Sequence, residues 1–331
     1  MSLRIVCCVE AGRLEGETLL LCSSLRRFGG ALADSPVTAY RPRAGDELSP
    51  ATRTALDELC VELIEDELNT DHAFHPIANK LYAAADAEGR YPESSVAVLD
   101  SDAIFLAEPD ALDLPEETDA AASPVGKVSE GTTGPGHRNE AYWQELYRDF
   151  GVADPPWIET ALRGRRVRGY WNSGLVAARS ESGVLGEWLE TFRLLLDERR
   201  LPPSDRIDTL DQIALALVVS RRPARIDTLP WPYNYRITRR GRYEGPASSA
   251  DLDSLVHVHY MRSLYVEDFL ERVEPRLDPG SERFRWLAER LPLEPRVVLE
   301  GDEAPTSRRI RAALSGDLRR REMDVPDQSE A

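Results

Sequence analysis

Residues 96–106 read Val-Ala-Val-Leu-Asp-Ser-Asp-Ala-Ile-Phe-Leu, an apolar run interrupted once, by Asp100-Ser101-Asp102. The run has the length of a strand buried on both faces in a parallel sheet. Two carboxylates at its end are costly to desolvate unless a cation meets them. Ligands of open α/β sheets bind just beyond the carboxyl ends of the strands, so the pair is placed to hold a hard cation facing a cleft. Asp oxygens together with substrate phosphates commonly hold Mg²⁺ or Mn²⁺. The plain alternative is an Asx-rich turn that caps the next segment.

Other residues with chemistry to offer follow the same order of reading. His257 and His259 lie two apart on a strand pattern, so both face one way. Asn172-Ser173-Gly174 opens a strand, and its glycine permits close approach of backbone to a ligand; the alternative is a simple turn. Asp211-Gln212 sits near the head of a helix, where Asp211 could instead serve as an N-cap. Only two of the 41 basic residues, Lys80 and Lys127, are lysines. A lysine kept where arginine is the habit points to a need for its compact charge.

Alternating strand and helix signals would position these groups, as in βαβ units. Strands are expected at 3–9, 36–40 and 61–64, and helices at 17–28, 50–59 and 78–87, the last leading into the Asp100 strand. Right-handed crossovers would put the strands' C-terminal ends on one edge, together with the loop Glu10-Ala11-Gly12-Arg13. Residues 127–170 begin polar and glycine-rich and read as a mobile loop, a lid or a surface insertion, before a helix at 142–150. Arg163, Arg165, Arg166 and Arg168 either neutralise an anionic acceptor or decorate a sheet edge, with decoration favoured. Helices are expected at 183–198 and 208–219, and strands at 225–229 and 255–260.

The composition, 331 residues with 42% hydrophobic content, allows a substantial core. A formal charge of -17 argues against a general nucleic-acid binder. No apolar stretch approaches the length of a membrane span, and the start lacks a signal-peptide pattern, so a cytoplasmic location is expected. The four cysteines form no disulfide framework and read as small buried hydrophobes. Near the end, arginines at 308, 309, 311 and 319–321 surround Ile310, Leu314 and Leu318. That basic amphipathic pattern over 308–321 fits peripheral contact with an anionic membrane, although Gly316 and the short length favour a frayed helix.

Taken in order, Asn79-Lys80-Leu81, Leu99-Asp100-Ser101-Asp102, Trp171-Asn172-Ser173-Gly174-Leu175-Val176 and Leu210-Asp211-Gln212 resemble the motifs of nucleotide-sugar glycosyltransferases. Leu229-Pro230, Tyr233-Asn234-Tyr235 and His257-Val258-His259-Tyr260 continue the series. The resemblance is to GT-A fold enzymes, in particular glycosyltransferase family 8 and its glycogenin-like members, over roughly residues 3–265. It implies an α/β fold with a mainly parallel central sheet flanked by helices. It divides the chain into a glycosyltransferase domain at 1–265, a helical appendage at 266–304 and a basic tail at 305–331.

By that resemblance Asp100, Asp102 and one of His257 and His259 hold Mn²⁺ or Mg²⁺, with His259 preferred because the aromatic Tyr260 follows it. Lys80, Asp100, Ser101, Asp102 and Gly174 contact the donor, a nucleotide sugar with UDP-sugars foremost. Arg262 would replace the Lys-Pro-Trp that relatives carry after the histidine and this chain lacks. Asp211, Gln212 and Asn172 are the implied catalytic set, acting with retention on an unidentified acceptor. The rival within this fold is a nucleotide-sugar-binding protein without turnover. A haloacid-dehalogenase-type phosphatase is disfavoured because its motif needs Thr or Val two residues after the second Asp, where this chain has Ile104.

Overall fold

The computed structural model of the chain describes residues 2–204, 206–237, 252–261, 263–265, 269–272 and 277–293. Strand β1 (Ser2–Cys8) leads to α1 (Arg13–Phe28), β2 (Val37–Tyr40), α2 (Pro50–Glu58), β3 (Val61–Ile64), α3 (Ala78–Arg90) and β4 (Ser94–Leu99). Next come β5 (Ala103–Phe105), β6 (Ala120–Pro124), α4 (Glu140–Asp149), β7 (Trp157–Glu159), β8 (Arg166–Arg168) and β9 (Trp171–Arg179). The described elements end with α5 (Val184–Asp197), α6 (Leu210–Ser220), β10 (Ile226–Thr228), β11 (Tyr235–Arg236), β12 (His257–His259), α7 (Phe269–Arg272) and α8 (Glu282–Ala288).

The central sheet has the order β10-β6-β9-β4-β1-β2-β3. Neighbours are parallel except β9, which runs antiparallel between β4 and β6. This is the expected α/β architecture with a mainly parallel sheet. The reversed strand matters for the site, because the start of β9 meets the end of β4. Leu99 registers with Leu175, and the Asp100 N–H donates to the Gly174 carbonyl at 2.9 Å.

Alternation along the strands fills both faces of the sheet. Val6, Val96, Val98 and Val176 pack towards α3, α5 and α6, among them Leu81, Trp188 and Leu217. Ile5, Cys7, Ala97 and Leu99 pack on the other side with Leu21 and Leu25 of α1 and Leu56 of α2. Helix α6 is buried along its whole length except at Gln212. A helix that is apolar all round belongs inside the molecule, so it carries Asp211 in with it. Helix α2 starts at Ser49, whose side chain accepts from the Thr52 N–H at 3.1 Å with Pro50 at the first position.

A second sheet, β11-β12-β5, is built directly after the Asp-Ser-Asp turn, with β12 antiparallel to β5. Its apolar side gathers Ile104, Leu106, Val258 and Leu264 with Leu20 of α1 and Trp286 and Leu287 of α8. Phe28 meets Trp286 edge-on at 5.4 Å.

Several expectations are corrected. Cys60 is exposed rather than buried, in a turn with φ 53, and Cys8 is half-buried. Helix α1 starts at Arg13, not at residue 17, because the Glu15 carboxylate accepts from the Gly12 N–H at 2.9 Å and closes the first turn. The glycine-rich stretch after Lys127 packs inward: Glu130, Thr132 and Asn139 are buried, and Asn139 Nδ2 donates to the Ser129 and Gly131 carbonyls. Arg262 and the basic segment at 308–321 lie outside the described residues.

Candidate active site

The turn between β4 and β5 sets the centre of the site. Pairing of β12 with β5 places His259 opposite Ala103, and the Tyr260 N–H donates to the Asp102 carbonyl at 3.1 Å. His259 Nε2 therefore stands 3.2 Å from Asp102 Oδ1 and 4.0 Å from Asp100 Oδ2. Ligand atoms of Asp100, Asp102 and His259 all lie within 4.8 Å of one another, so these half-buried groups could hold a metal ion. Burial opposes charging of His259, but Asp102 and Asp100 outweigh it and raise its pKa. Burial likewise opposes ionisation of Asp102, yet His259 holds its pKa below the ordinary value. An imidazole beside two carboxylates is a mixed N/O donor set suited to a divalent cation.

His257 is not part of this group. Two residues back along β12 is roughly 6.6 Å further under the sheet, and there it is fully buried against the edge of Phe105, 5.1 Å between ring centres. Neither ring nitrogen has a partner among the described residues, and burial, followed by the charge of His259, pushes its pKa down to about 3. Ser101 lies between the two carboxylates in the same turn. Its hydroxyl points inward and donates to the Cys8 carbonyl, tying the turn to the end of β1.

Lys80, on α3, reaches the same turn from below. Its Nζ lies 2.8 Å from Asp100 Oδ1, 3.1 Å from Asp211 Oδ2 and 3.0 Å from the Ser173 carbonyl. Asp211 is 2% exposed. Its Oδ2 also accepts from the Ser173 hydroxyl at 2.6 Å, while Oδ1 has no partner. The Trp188 indole N–H donates to the Asp211 carbonyl at 2.8 Å and fixes the head of α6. Asp211 does not N-cap that helix, since Thr209 occupies the cap position.

The start of β9 packs against the same group. Asn172 Oδ1 accepts from the Gly174 N–H at 2.9 Å and from Asn234 Nδ2 at 2.6 Å, and Asn172 Nδ2 faces Gln212 Oε1 at 3.4 Å. A Cβ on Gly174 would stand 2.9 Å from Asn172 Oδ1 and 3.0 Å from both Asp100 Oδ2 and His259 Nδ1. Glycine is thus required here by crowding among the site's own side chains.

Three further residues, named in the sequence only as parts of a loop or a motif string, contribute to the site. Ser173 bridges Lys80 and Asp211, a role its place in an Asn-Ser-Gly string does not signal. Glu10, after β1, accepts from Arg43 and from Asn79 Nδ2, both at 2.8 Å, and so fastens the first loop to α3. Arg13 opens α1 near Asp102, with its Nη1 2.5 Å from the buried Glu17 carboxylate.

Residues 5–222 match the Rhodobacterales glycosyltransferase domain. That span includes Lys80, Asp100, Asp102, Asn172, Asp211 and Gln212 and ends before His259. No curated protein matches the sequence. Among solved structures, the bifunctional glycosyltransferase WbbM is similar at 13% identity and TM-score 0.49, over 88% of this chain and 52% of that one. The galactosyltransferase LgtC, solved with donor and acceptor sugar analogues, is similar at 15% identity and TM-score 0.47, over 88% and 97%. GlyE of Streptococcus pneumoniae TIGR4 is similar at 14% identity and TM-score 0.48, over 96% and 64%. This chain thus spans about half the length of WbbM and under two thirds of GlyE. These likenesses are too distant to carry residue roles across. The family match covers most of the chain, which belongs to the Rhodobacterales glycosyltransferase domain family and is a glycosyltransferase.

Proposed function

We infer that the protein moves a sugar from a nucleotide-diphosphate sugar, with UDP-sugars foremost, to an acceptor at the edge formed by Asp100, Asp102 and the start of β9. The observation that carries this reading is the convergence of Asp100, Asp102 and His259 within 4.8 Å at the end of a buried strand. Those three residues would hold Mn²⁺ or Mg²⁺. A divalent ion there supplies Lewis-acid stabilisation of the negative charge that grows on the departing diphosphate.

The chain's own residues do the remaining work. Arg13 stands at the first turn of α1, near Asp102, where a guanidinium and a helix N-terminus both favour phosphate oxygens. Gly174 keeps the floor of the cleft low enough for the donor to approach. Lys80 and Ser173 engage one oxygen of Asp211 and fix its carboxylate, the group assigned to the donor's sugar hydroxyls. Gln212 and Asn172 face each other at the cleft and orient the reacting carbon. Retention is proposed because Gln212, not a carboxylate, occupies the position next to Asp211, as in the family 8 enzymes that the motifs resemble. The GT-A assignment rests on the same motifs and on the mainly parallel sheet.

A panel of UDP-, GDP- and ADP-sugars tested for Mn²⁺-dependent hydrolysis checks this function. Release of nucleoside diphosphate from at least one, abolished by chelation and by Asp102→Asn, is the expected result. Binding of UDP without turnover of any sugar would favour the inactive nucleotide-sugar-binding protein. Peripheral contact of 308–321 with anionic membrane is a separate proposal: anionic vesicles should retain the full chain at low salt and release a chain truncated before residue 305.

A further inference from the structure

The chain carries a net charge of -17, yet one short hairpin beside the cleft is strongly basic. Strands β7 and β8 pair with Trp157 opposite Arg168 and Glu159 opposite Arg166. The Arg168 and Arg166 guanidinium carbons lie 4.1 and 4.5 Å from the centre of the Trp157 ring. Arg163, Arg165 and Arg166 are exposed and make no ion pair among the described residues. Arg168 Nη1 donates to the Pro155 carbonyl at 3.2 Å and stands 3.9 Å from the exposed Asp154 carboxylate, and its buried Nε has no partner among the described residues. Lys127 adds a fifth cation. It follows Gly126, whose carbonyl accepts from the Leu162 N–H beside Arg163. Glu159 turns towards Gly164, 3.8 Å from where a Cβ would stand there, and pairs with none of them.

Edge decoration does not explain this arrangement. Charges that only keep an edge soluble are met by opposite charge or left to move freely, whereas stacking on one indole fixes two guanidinium forks. Trp157 is itself held, with Gly134 packed against its ring edge (3.2 Å to the ring from a Cβ built there). The half-buried indole holds both guanidinium planes in place, and guanidinium forks match carboxylate and phosphate oxygens. Arg168 precedes Asn172 by four residues, a span of at most about 14 Å. The hairpin therefore stands within the reach of a short saccharide whose end lies in the cleft.

Resting on the sugar-transfer reading above, we propose that the β7–β8 hairpin is an acceptor subsite, in which Trp157, Arg165, Arg166 and Arg168 bind an acidic saccharide bearing carboxylate or phosphate groups. A nucleic acid fits less well. The basic area is one three-residue hairpin, and the acidic remainder of the chain repels a long polyanion.

Calorimetric titration of the full chain at low salt tests the proposal, with trigalacturonate and glucose 6-phosphate as acidic probes and maltotriose as the neutral one. At least one acidic probe should bind, and the choice between them identifies carboxylate or phosphate. Maltotriose should bind at least tenfold more weakly, and added salt should weaken the acidic probe. The exposed pair Arg165→Gln with Arg166→Gln should lose roughly tenfold in affinity per arginine, as for one charge-assisted hydrogen bond, with an unchanged thermal midpoint. Trp157→Ala should lose affinity for the same probe. Equal affinity for maltotriose, unchanged binding by the double-arginine variant, or tighter binding of a ten-residue oligothymidylate would overturn the subsite. If wild-type protein binds UDP, GDP or ADP with Mn²⁺ but neither acidic probe, the subsite fails and sugar transfer stands; if it binds none of the three nucleotides, both fall.

Discussion

Lys80 Nζ lies 3.1 Å from Asp211 Oδ2, and this buried contact joins helix α3 to the head of α6 directly beneath the Asp100 turn. Burial alone would lower the lysine's pKa. Asp100 and Asp211 more than offset that and hold the ammonium well above its ordinary value. Removing the lysine would take the cationic partner away from the buried Asp211 side chain. Lys80→Met should cost about 3–5 kcal/mol, the usual penalty for breaking one side of a buried pair. Urea unfolding measures it. A midpoint equal to wild type would show that the Lys80–Asp211 contact does not hold α3 to α6.

The two histidines of β12 should separate cleanly. His259→Ala removes a nitrogen from the three-residue group, so Mn²⁺ affinity should fall by at least the roughly 10–100-fold seen when even an outer partner is lost. His257→Ala leaves that group intact and empties a filled position against Phe105. It should lower stability by about 2 kcal/mol or more through the cavity, with metal affinity little changed. Titration of Mn²⁺ by electron paramagnetic resonance, beside thermal unfolding, distinguishes them. The reverse pattern would reassign the ligand.

Much of this layout was legible in the residues, and the failures have physical causes. The strands of the first third were placed within a residue or two because β-branched and apolar runs end at polar turns. The direction of β9 was not legible, because side-chain alternation carries no polarity, yet that direction brings Asn172 and Gly174 to Asp100. His257 and His259 share a strand face, so spacing could not rank them; burial depth does. Ser101 stood in a functional motif, but its hydroxyl serves the Cys8 carbonyl. Arg13 and Ser173 were named only within a loop and a motif, since their individual roles depend on contacts between elements far apart in sequence.

Asp211→Asn should leave the three-residue group and nucleotide binding in place while sugar transfer collapses. The variant keeps the shape of the side chain, and Lys80 retains Asp100 as counter-charge at 2.8 Å. Loss of one preorganised electrostatic contact should cost on the order of 10² in kcat, with the KM for donor nearly unchanged. Steady-state kinetics with the active nucleotide sugar, beside UDP titration, reads both quantities. A rise in donor KM with kcat intact would place Asp211 in ground-state binding alone.

Glu17 is fully buried one helical turn after Arg13. Its Oε1 accepts from Arg13 and from the Tyr265 hydroxyl at 2.9 Å, while Oε2 has no partner. Burial pushes its pKa up to about 7, against the pull of Arg13, and nearby Asp102 adds to the rise. Below pH about 4.5 the carboxyl is protonated in both folded and unfolded chains and contributes nothing to the balance. Between about 4.5 and 7 the folded chain keeps a proton that the unfolded chain has lost, so raising the pH lowers stability. Above about 7 both states are ionised and the full cost remains, up to about 3 kcal/mol. Glu17→Gln cannot ionise, so wild type should lose stability relative to this variant as the pH rises from 5 to 7.5. Urea unfolding of both proteins across that range measures the difference. Parallel curves would mean that the carboxylate is already ionised at pH 5, with Arg13 rather than burial in control.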